Sequence, residues 1–404
     1  MEKRFEEIVE NIRADEIAKL TLDLVKIPSP TGNELKACKF YAHYLEKAGL
    51  EVQLDYVEEN RPNVIAKIPG KEKGPSLLLC GHLDTIPPEG CVPPKIEDGR
   101  VYGRGSCDMK GSLAAVAQTA KALVLSGIKL KGDLLLVGYI GHEAPTGHGE
   151  GPKAVAKKIS QGRLRVDAAV ITEGPMDSVQ TVQGGLAIFT VSVTGPEVSI
   201  HTTRVPLRSN PILWTAGLIR EIQLMDEELN AVEWHPLITQ RPCLQLGIVG
   251  GGDFYNRLPT LCELVGTIRW DPGEDVNGVA KKFGYRLERL KQRLRKEYDS
   301  SVELLLKMDL IRDSCEVPRE EKIVRSMQRA VKAIIGRDVE VSGARYVTDL
   351  SIMCREAGVP TVCYGPFLPS NSLAHSDIES VSIRNLATVS KVYLALALDF
   401  CGLA

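Results

Sequence analysis

Imidazoles and carboxylates recur in this chain where apolar runs end. His82 and Asp84 stand in Gly81-His82-Leu83-Asp84, directly after the run Ser76-Leu-Leu-Leu-Cys80. Asp108 stands in Gly103-Arg104-Gly105-Ser106-Cys107-Asp108-Met109-Lys110-Gly111, ahead of an Ala-, Val- and Leu-rich stretch. His142 and Glu143 follow the run from Asp133 to Ile140, and Glu173 follows Ala168 to Thr172. His375, Asp377 and Glu379 form a late cluster behind a Gly365-Pro366 loop. Each cluster alone has an ordinary structural reading; Asp108, for example, suits a helix N-cap. Taken together, two histidines and three carboxylates at such strand ends offer the mixed nitrogen and oxygen donors that zinc, cobalt and manganese accept. A bound ion of that kind polarises a carbonyl and makes water a nucleophile near neutral pH. The His-x-Asp spacing also supplies a carboxylate that can hold the ligand's other ring nitrogen, or a neighbouring group.

The elements between these clusters set their positions. Helical periodicity over 15–27 and 34–48 is separated by Pro28, Pro30 and Gly32. Strand signals lie at 63–68, 76–80, 133–140 and 168–172, with a helix at 111–126. Continuous apolar strands alternating with helices predict an α/β domain around a doubly wound, mainly parallel sheet. The carboxyl ends of such strands form the ligand crevice. From 186 to 309 the order becomes strand 187–193, helix 210–223, strands 244–249 and 262–270, helix 276–298 and strand 302–307. This βαββαβ order predicts an inserted α+β, ferredoxin-like domain. The rhythm then returns with a helix at 319–335, a strand at 339–342, a helix at 349–357, a strand at 361–364 and a helix from 383 to 400. The expected organisation is therefore one domain over 1–185 and 310–404, interrupted by another over 186–309.

Composition excludes several classes. The 404 residues carry a formal net charge of -2, with 44% hydrophobic and 25% charged residues. No global field would gather nucleic acid or an anionic membrane, and the basic stretch 281–296 reads as a solvated helix face. The charged start Met-Glu-Lys-Arg-Phe-Glu-Glu lacks the apolar core of a secretory signal, and no apolar run is long enough to span a bilayer. Ten scattered cysteines without a Cys-x-x-Cys pair predict free thiols in a reducing, cytoplasmic compartment.

The clusters resemble, in order and across essentially the whole chain, those of the M20 metallopeptidase family. That family includes acetylornithine deacetylase, succinyl-diaminopimelate desuccinylase, aminoacylase and glutamate carboxypeptidase. The resemblance rests on Gly81-His82-Leu83-Asp84-Thr85-Ile86-Pro87, Gly103-Arg104-Gly105, Asp108-Met109-Lys110-Gly111, Glu173-Gly174-Pro175 and Ala374-His375. It implies one or two zinc ions, with cobalt or manganese as substitutes. His82, Asp108 and Glu173 would hold the first ion, and Asp108, Glu143 and His375 the second. Asp84 would steady His82, and the bond before Met109 would be cis. The implied substrate is an N-acyl amino acid or short peptide with a free carboxylate. The 186–309 domain would then act as lid and homodimer interface.

One position departs from the family pattern. The family carries Asp-Glu-Glu after this strand, its first Glu acting as general base and its second as metal ligand. The ungapped register from Gly132 places Gly141, His142 and Glu143 there, so that His142 stands at the base position. A shift by one would make Glu143 the base and leave Ala144 where a ligand belongs. An imidazole is a chemically competent base, because its ordinary pKa of about 6.5 is close to working pH. His148 and Glu150, in Gly147-His148-Gly149-Glu150, are reserve candidates, and the loop otherwise reads as a turn. The altered base also admits a weakly active or purely binding homologue, and the family admits exo-carboxypeptidases and dipeptidases. On the substrate side, the resemblance implies His201 as an oxyanion donor to the neighbouring subunit's site. Asn256 and Arg269 match lid contacts, and Arg269 otherwise suits a structural salt bridge. Arg345, ahead of Thr348-Asp349, has the fork geometry to clamp a substrate carboxylate.

Overall fold

The computed structural model describes residues 6, 8–143, 147–239, 241–299, 301–344, 346–367 and 373–404. The chain opens with helices α1 (Ala14–Val25) and α2 (Leu35–Lys47), followed by the hairpin β1 (Glu51–Glu58) and β2 (Arg61–Ile68). Then come β3 (Leu77–His82), the short β4 (Lys95–Glu97) and β5 (Arg100–Tyr102), and helix α3 (Gly111–Ser126). β6 (Leu134–Tyr139), α4 (Glu150–Ser160), β7 (Ala168–Ile171) and β8 (Ser178–Gln183) complete this stretch. Next are β9 (Gly185–Thr194), α5 (Pro211–Asn230), β10 (Cys243–Gly251), β11 (Leu261–Trp270), α6 (Val276–Glu297) and β12 (Glu303–Arg312). The chain closes with β13 (Cys315–Glu316), α7 (Lys322–Ile335), β14 (Glu340–Ala344), β15 (Thr361–Cys363), β16 (Ser380–Ser382) and α8 (Ile383–Cys401).

These elements form two compact units, 1–181 with 316–344 and 348–404, and 182–315 with 345–347. The first unit is built on a sheet of order β1-β2-β6-β3-β7-β15-β8-β13, with β14 also on β8. Its central strands β6, β3, β7 and β15 are parallel, and β2 joins β6 antiparallel. Every residue of β3, β6 and β7 is buried, which explains their uninterrupted Leu, Val, Ala and Ile. α3 is buried almost all round and lies against α1, α8 and β3, so its sequence shows no polar stripe. Gly127, at φ +68°, ends it in the left-handed conformation.

The second unit has the order β9-α5-β10-β11-α6-β12 and an antiparallel sheet of order β10-β11-β9-β12. This is the ferredoxin-like arrangement. Alternate residues Ala187, Phe189, Val191 and Val193 of β9 pack with Trp214, Leu218 and Ile222 of α5 and Phe283, Leu287, Leu290 and Leu294 of α6. Asn210 and Asp275 cap the two helices through side-chain acceptors.

The structure departs from the sequence reading locally. The helix expected at 349–357 is a five-residue wide turn, Ile352–Glu356. The turn expected around Glu150 instead begins α4, and β1, β4, β5, β8 and β16 had no counterpart in the reading.

Candidate metal centre

The order β6-β3-β7 brings three parallel carboxyl ends side by side. Cys80 pairs with Val137 on one side and Ile171 on the other, and His82 pairs with Tyr139. His82 and Glu173 are each two residues beyond a paired partner, on the same face. His142 and Glu143 follow β6 around Gly141, whose φ of +74° turns the chain sharply. Gly365 allows a second close approach: a Cβ there would stand 2.8 Å from the Glu173 backbone carbon.

His82 is fully buried, and its Nδ1 donates to the Asp84 carbonyl at 2.8 Å. Its Nε2 then faces Asp108 Oδ1 at 3.0 Å. A neutral imidazole so oriented opposes two acceptors, an arrangement that a proton or a cation between them relieves. Asp108 Oδ2 lies 3.3 Å from His375 Nε2, which also meets Glu143 Oε1 at 3.1 Å. Ligand-capable atoms of His82, Asp108 and Glu143 all lie within 4.8 Å of one another, as do those of His82, His142 and Glu173. The Glu173 Oε2 and Asp84 Oδ1 atoms are buried without a hydrogen-bond partner among the described residues.

The charges respond to this crowding. Burial pushes Glu173 up to about 7, and neighbouring Asp108 adds to the effect. His375 is held up to about 10 by its bonds to Asp108 and Glu143. Burial pulls the His82 imidazole down, but Asp108, Asp84 and Glu143 outweigh it and hold the ring well above its ordinary range. Burial likewise opposes ionisation of Asp108, and the His375 and His82 contacts reverse that. Orphaned carboxylate oxygens, imidazole nitrogens aimed at carboxylates and the mixed donor chemistry all fit a divalent cation.

Supporting contacts fix the donors. Asp84 Oδ2 accepts the backbone N–H groups of His142 and Glu143, each at 2.9 Å, and the Thr31 hydroxyl at 2.8 Å. The Asp84 carboxylate therefore holds the 142–143 turn, while its backbone carbonyl holds His82; the nearest carboxylate oxygen is 3.8 Å from Nδ1. Glu379 Oε1 accepts from the N–H groups of Gly105, Cys107 and Asp108, and Oε2 pairs with Arg104 at 2.6 Å. The Asp108-Met109 bond is cis. His142 Nδ1 lies 2.7 Å from Asp349 Oδ2.

His82, Asp108, His142, Glu143, Glu173 and His375 thus converge in the first unit. Glu150 instead accepts from the His148 N–H at the start of α4. In the second unit, His201 Nε2 lies 3.0 Å from the Asn256 side-chain amide, so two expected substrate-side residues are neighbours. Arg269 is half-buried on β11 and makes no ion pair among the described residues, and burial lowers its guanidinium pKa. Arg345 and Ala144 lie outside the described residues. Sequence reasoning gave Asp349 and Glu379 no role in the site; both are fully buried carboxylates, a property that a single sequence does not display.

The family model described as Peptidase family M20/M25/M40 matches residues 78–399, and the chain belongs to this family. It is accordingly a hydrolase of amide bonds. It is 26% identical to N-formyl-4-amino-5-aminomethyl-2-methylpyrimidine deformylase from Halalkalibacterium halodurans, over 96% of this chain and 95% of that protein. It is 30% identical to succinyl-diaminopimelate desuccinylase from Corynebacterium glutamicum, over 67% of this chain and 70% of that one. Its fold matches a Bacillus subtilis protein described as a dinuclear metal-binding peptidase of the M20 family, with a TM-score of 0.70 at 17% identity, covering 95% of this chain and 97% of the other.

Proposed function

We propose that this protein is a zinc-class amidohydrolase that removes an acyl group from an N-acyl amino acid or short peptide bearing a free carboxylate. The convergence of His82, Asp108, Glu143, Glu173 and His375 at the strand ends carries this reading. His82, Asp108 and Glu173 would hold one ion, and Asp108, Glu143 and His375 a second. Zinc, or cobalt or manganese in its place, supplies Lewis acidity toward the amide carbonyl and water.

The chain's own groups do the rest. His142 takes the proton from the attacking water and returns it to the leaving nitrogen. His201, beside Asn256, donates to the developing oxyanion, a contribution of about 3–4 kcal/mol for such donors. Asn256, Arg269 and Arg345 receive the substrate's carboxylate or carbonyl. The 182–315 unit serves as lid and homodimer surface, with His201 acting across the dimer. Exposed Leu246, Ile248 and Val249 on edge strand β10 support an interface there. Ten cysteines, mostly buried and joined by no disulfide among the described residues, suit a reducing cytoplasm. Relatives named as a deformylase and a desuccinylase favour acyl-amine substrates.

The test is turnover of a panel of N-acyl amino acids and dipeptides, with zinc, cobalt, manganese or a chelator. Chelator-sensitive release of the amine is the expected result. Stoichiometric metal binding with no hydrolysis anywhere in the panel would leave a binding protein instead.

A further inference from the structure

Asp349 has no part in the reactions assigned above, yet it is fully buried against the centre. Its Oδ2 lies 2.7 Å from His142 Nδ1. An ionised carboxylate only accepts, so Nδ1 carries the hydrogen and a neutral His142 keeps its lone pair on Nε2. The His142 ring lies parallel to the His82 ring, with centroids 4.2 Å apart and planes 9° apart. Imidazole lone pairs lie in the ring plane. The nitrogens of the two stacked rings therefore point along nearly parallel planes, and the ligand-capable atoms of His82, His142 and Glu173 fall within 4.8 Å of one another.

We propose that Asp349 is a positioning residue that locks His142 in the Nδ1–H tautomer and aims Nε2, the proton acceptor, toward His82 and Glu173. A carboxylate–imidazole dyad then occupies the position where the family pattern has a lone carboxylate. This rests on the amidohydrolase reading. As the water oxygen bonds to the acyl carbon, its proton passes to Nε2. As the C–N bond breaks, that proton passes to the leaving nitrogen. The other hydrogen stays on Nδ1, donated to Asp349 throughout, as in other carboxylate–imidazole pairs. Water and amide become acid and amine, with no further reactant.

The experiment is long-range proton–nitrogen NMR of the full chain with 15N-labelled histidine, the His142 signals being assigned by their loss in His142→Gln. The wild type is expected to show His142 as Nδ1–H, and Asp349→Asn a mixed or reversed tautomer. In Asp349→Asn, kcat should fall by about 10²- to 10⁴-fold with KM within about threefold. Zinc affinity of that variant should change by less than about twofold, and Asp349→Glu should recover part of kcat. An Nε2–H tautomer in the wild type, or unchanged kcat in Asp349→Asn, would overturn the dyad alone. Loss of zinc from His142→Gln by about tenfold or more would make His142 a ligand and overturn it too. A wild type that hydrolyses nothing in the panel would instead overturn the amidohydrolase reading, and with it any proton transfer.

Discussion

Glu379 Oε1 accepts the backbone N–H of Asp108 at 3.1 Å, binding residues 271 positions apart in the chain. The same oxygen takes the N–H groups of Gly105 and Cys107, so one buried carboxylate shapes the whole turn that presents Asp108. Glu379→Gln keeps the shape but removes the charge facing Arg104. Stability should fall by about 1.5–3 kcal/mol, the worth of hydrogen bonds to a charged group. Zinc affinity should fall by about tenfold or more as the turn loosens. Urea denaturation and competitive metal titration check the two effects.

Asp84 predicts a different pattern, because its carboxylate serves the 142–143 turn and its carbonyl serves His82. Asp84→Asn leaves the carbonyl and one side-chain oxygen for the three donors, but removes the negative charge and puts an NH2 group where the buried Oδ1 stands, 3.8 Å from His82 Nδ1. Zinc binding and kcat should each fall by about 10- to 100-fold, within the range for groups that support metal ligands. Isothermal titration and steady-state kinetics on one preparation separate the losses.

Metal binding should stabilise the fold. An ion that binds only the folded chain adds about 2.7 kcal/mol at a hundred times its dissociation constant. Thermal melting of the zinc-loaded protein should therefore shift downward on chelation and recover on adding zinc back. Glu173→Ala, which removes a buried oxygen with no partner among the described residues, should flatten that response.

Asp133 gives a pH-dependent prediction away from the centre. Burial alone would raise its pKa, but Lys67 at 2.7 Å and the Gly70 N–H at 2.8 Å lower it overall. A depressed folded pKa means that its stabilisation is present above the unfolded value of about 3.9 and is lost as pH falls through the folded value. The site is partly solvated, so the wild type should exceed Asp133→Asn by about 1 kcal/mol or less at neutral pH. That gap should close below about pH 4 in denaturation curves taken across the range.

The buried strands β3, β6 and β7 were legible because enclosure on both faces leaves an unbroken apolar signature. The βαββαβ order of the second unit was legible because period-two strands alternate with long amphipathic helices. β1 escaped notice because its residues are half-exposed, with no continuous apolar run. α4 escaped because it opens on Glu150-Gly151-Pro152, which reads as a turn. His82, Asp108, Glu173 and His375 stand in the family's motifs, and Glu143 follows its strand in the ungapped register. Asp349 does not: it reaches His142 across 207 positions, and only the folded sheet brings the two together.

The register of the central sheet makes strand length a chemical parameter. Side chains alternate faces with a period of two, so deleting one residue from Leu134–Tyr139 would turn every later side chain to the opposite face. Such a deletion would leave the apolar core nearly as oily as before, yet would turn His142 and Glu143 away from His82 and His375, which they meet. The chain can therefore trade Leu for Val within these strands far more freely than it can change their count.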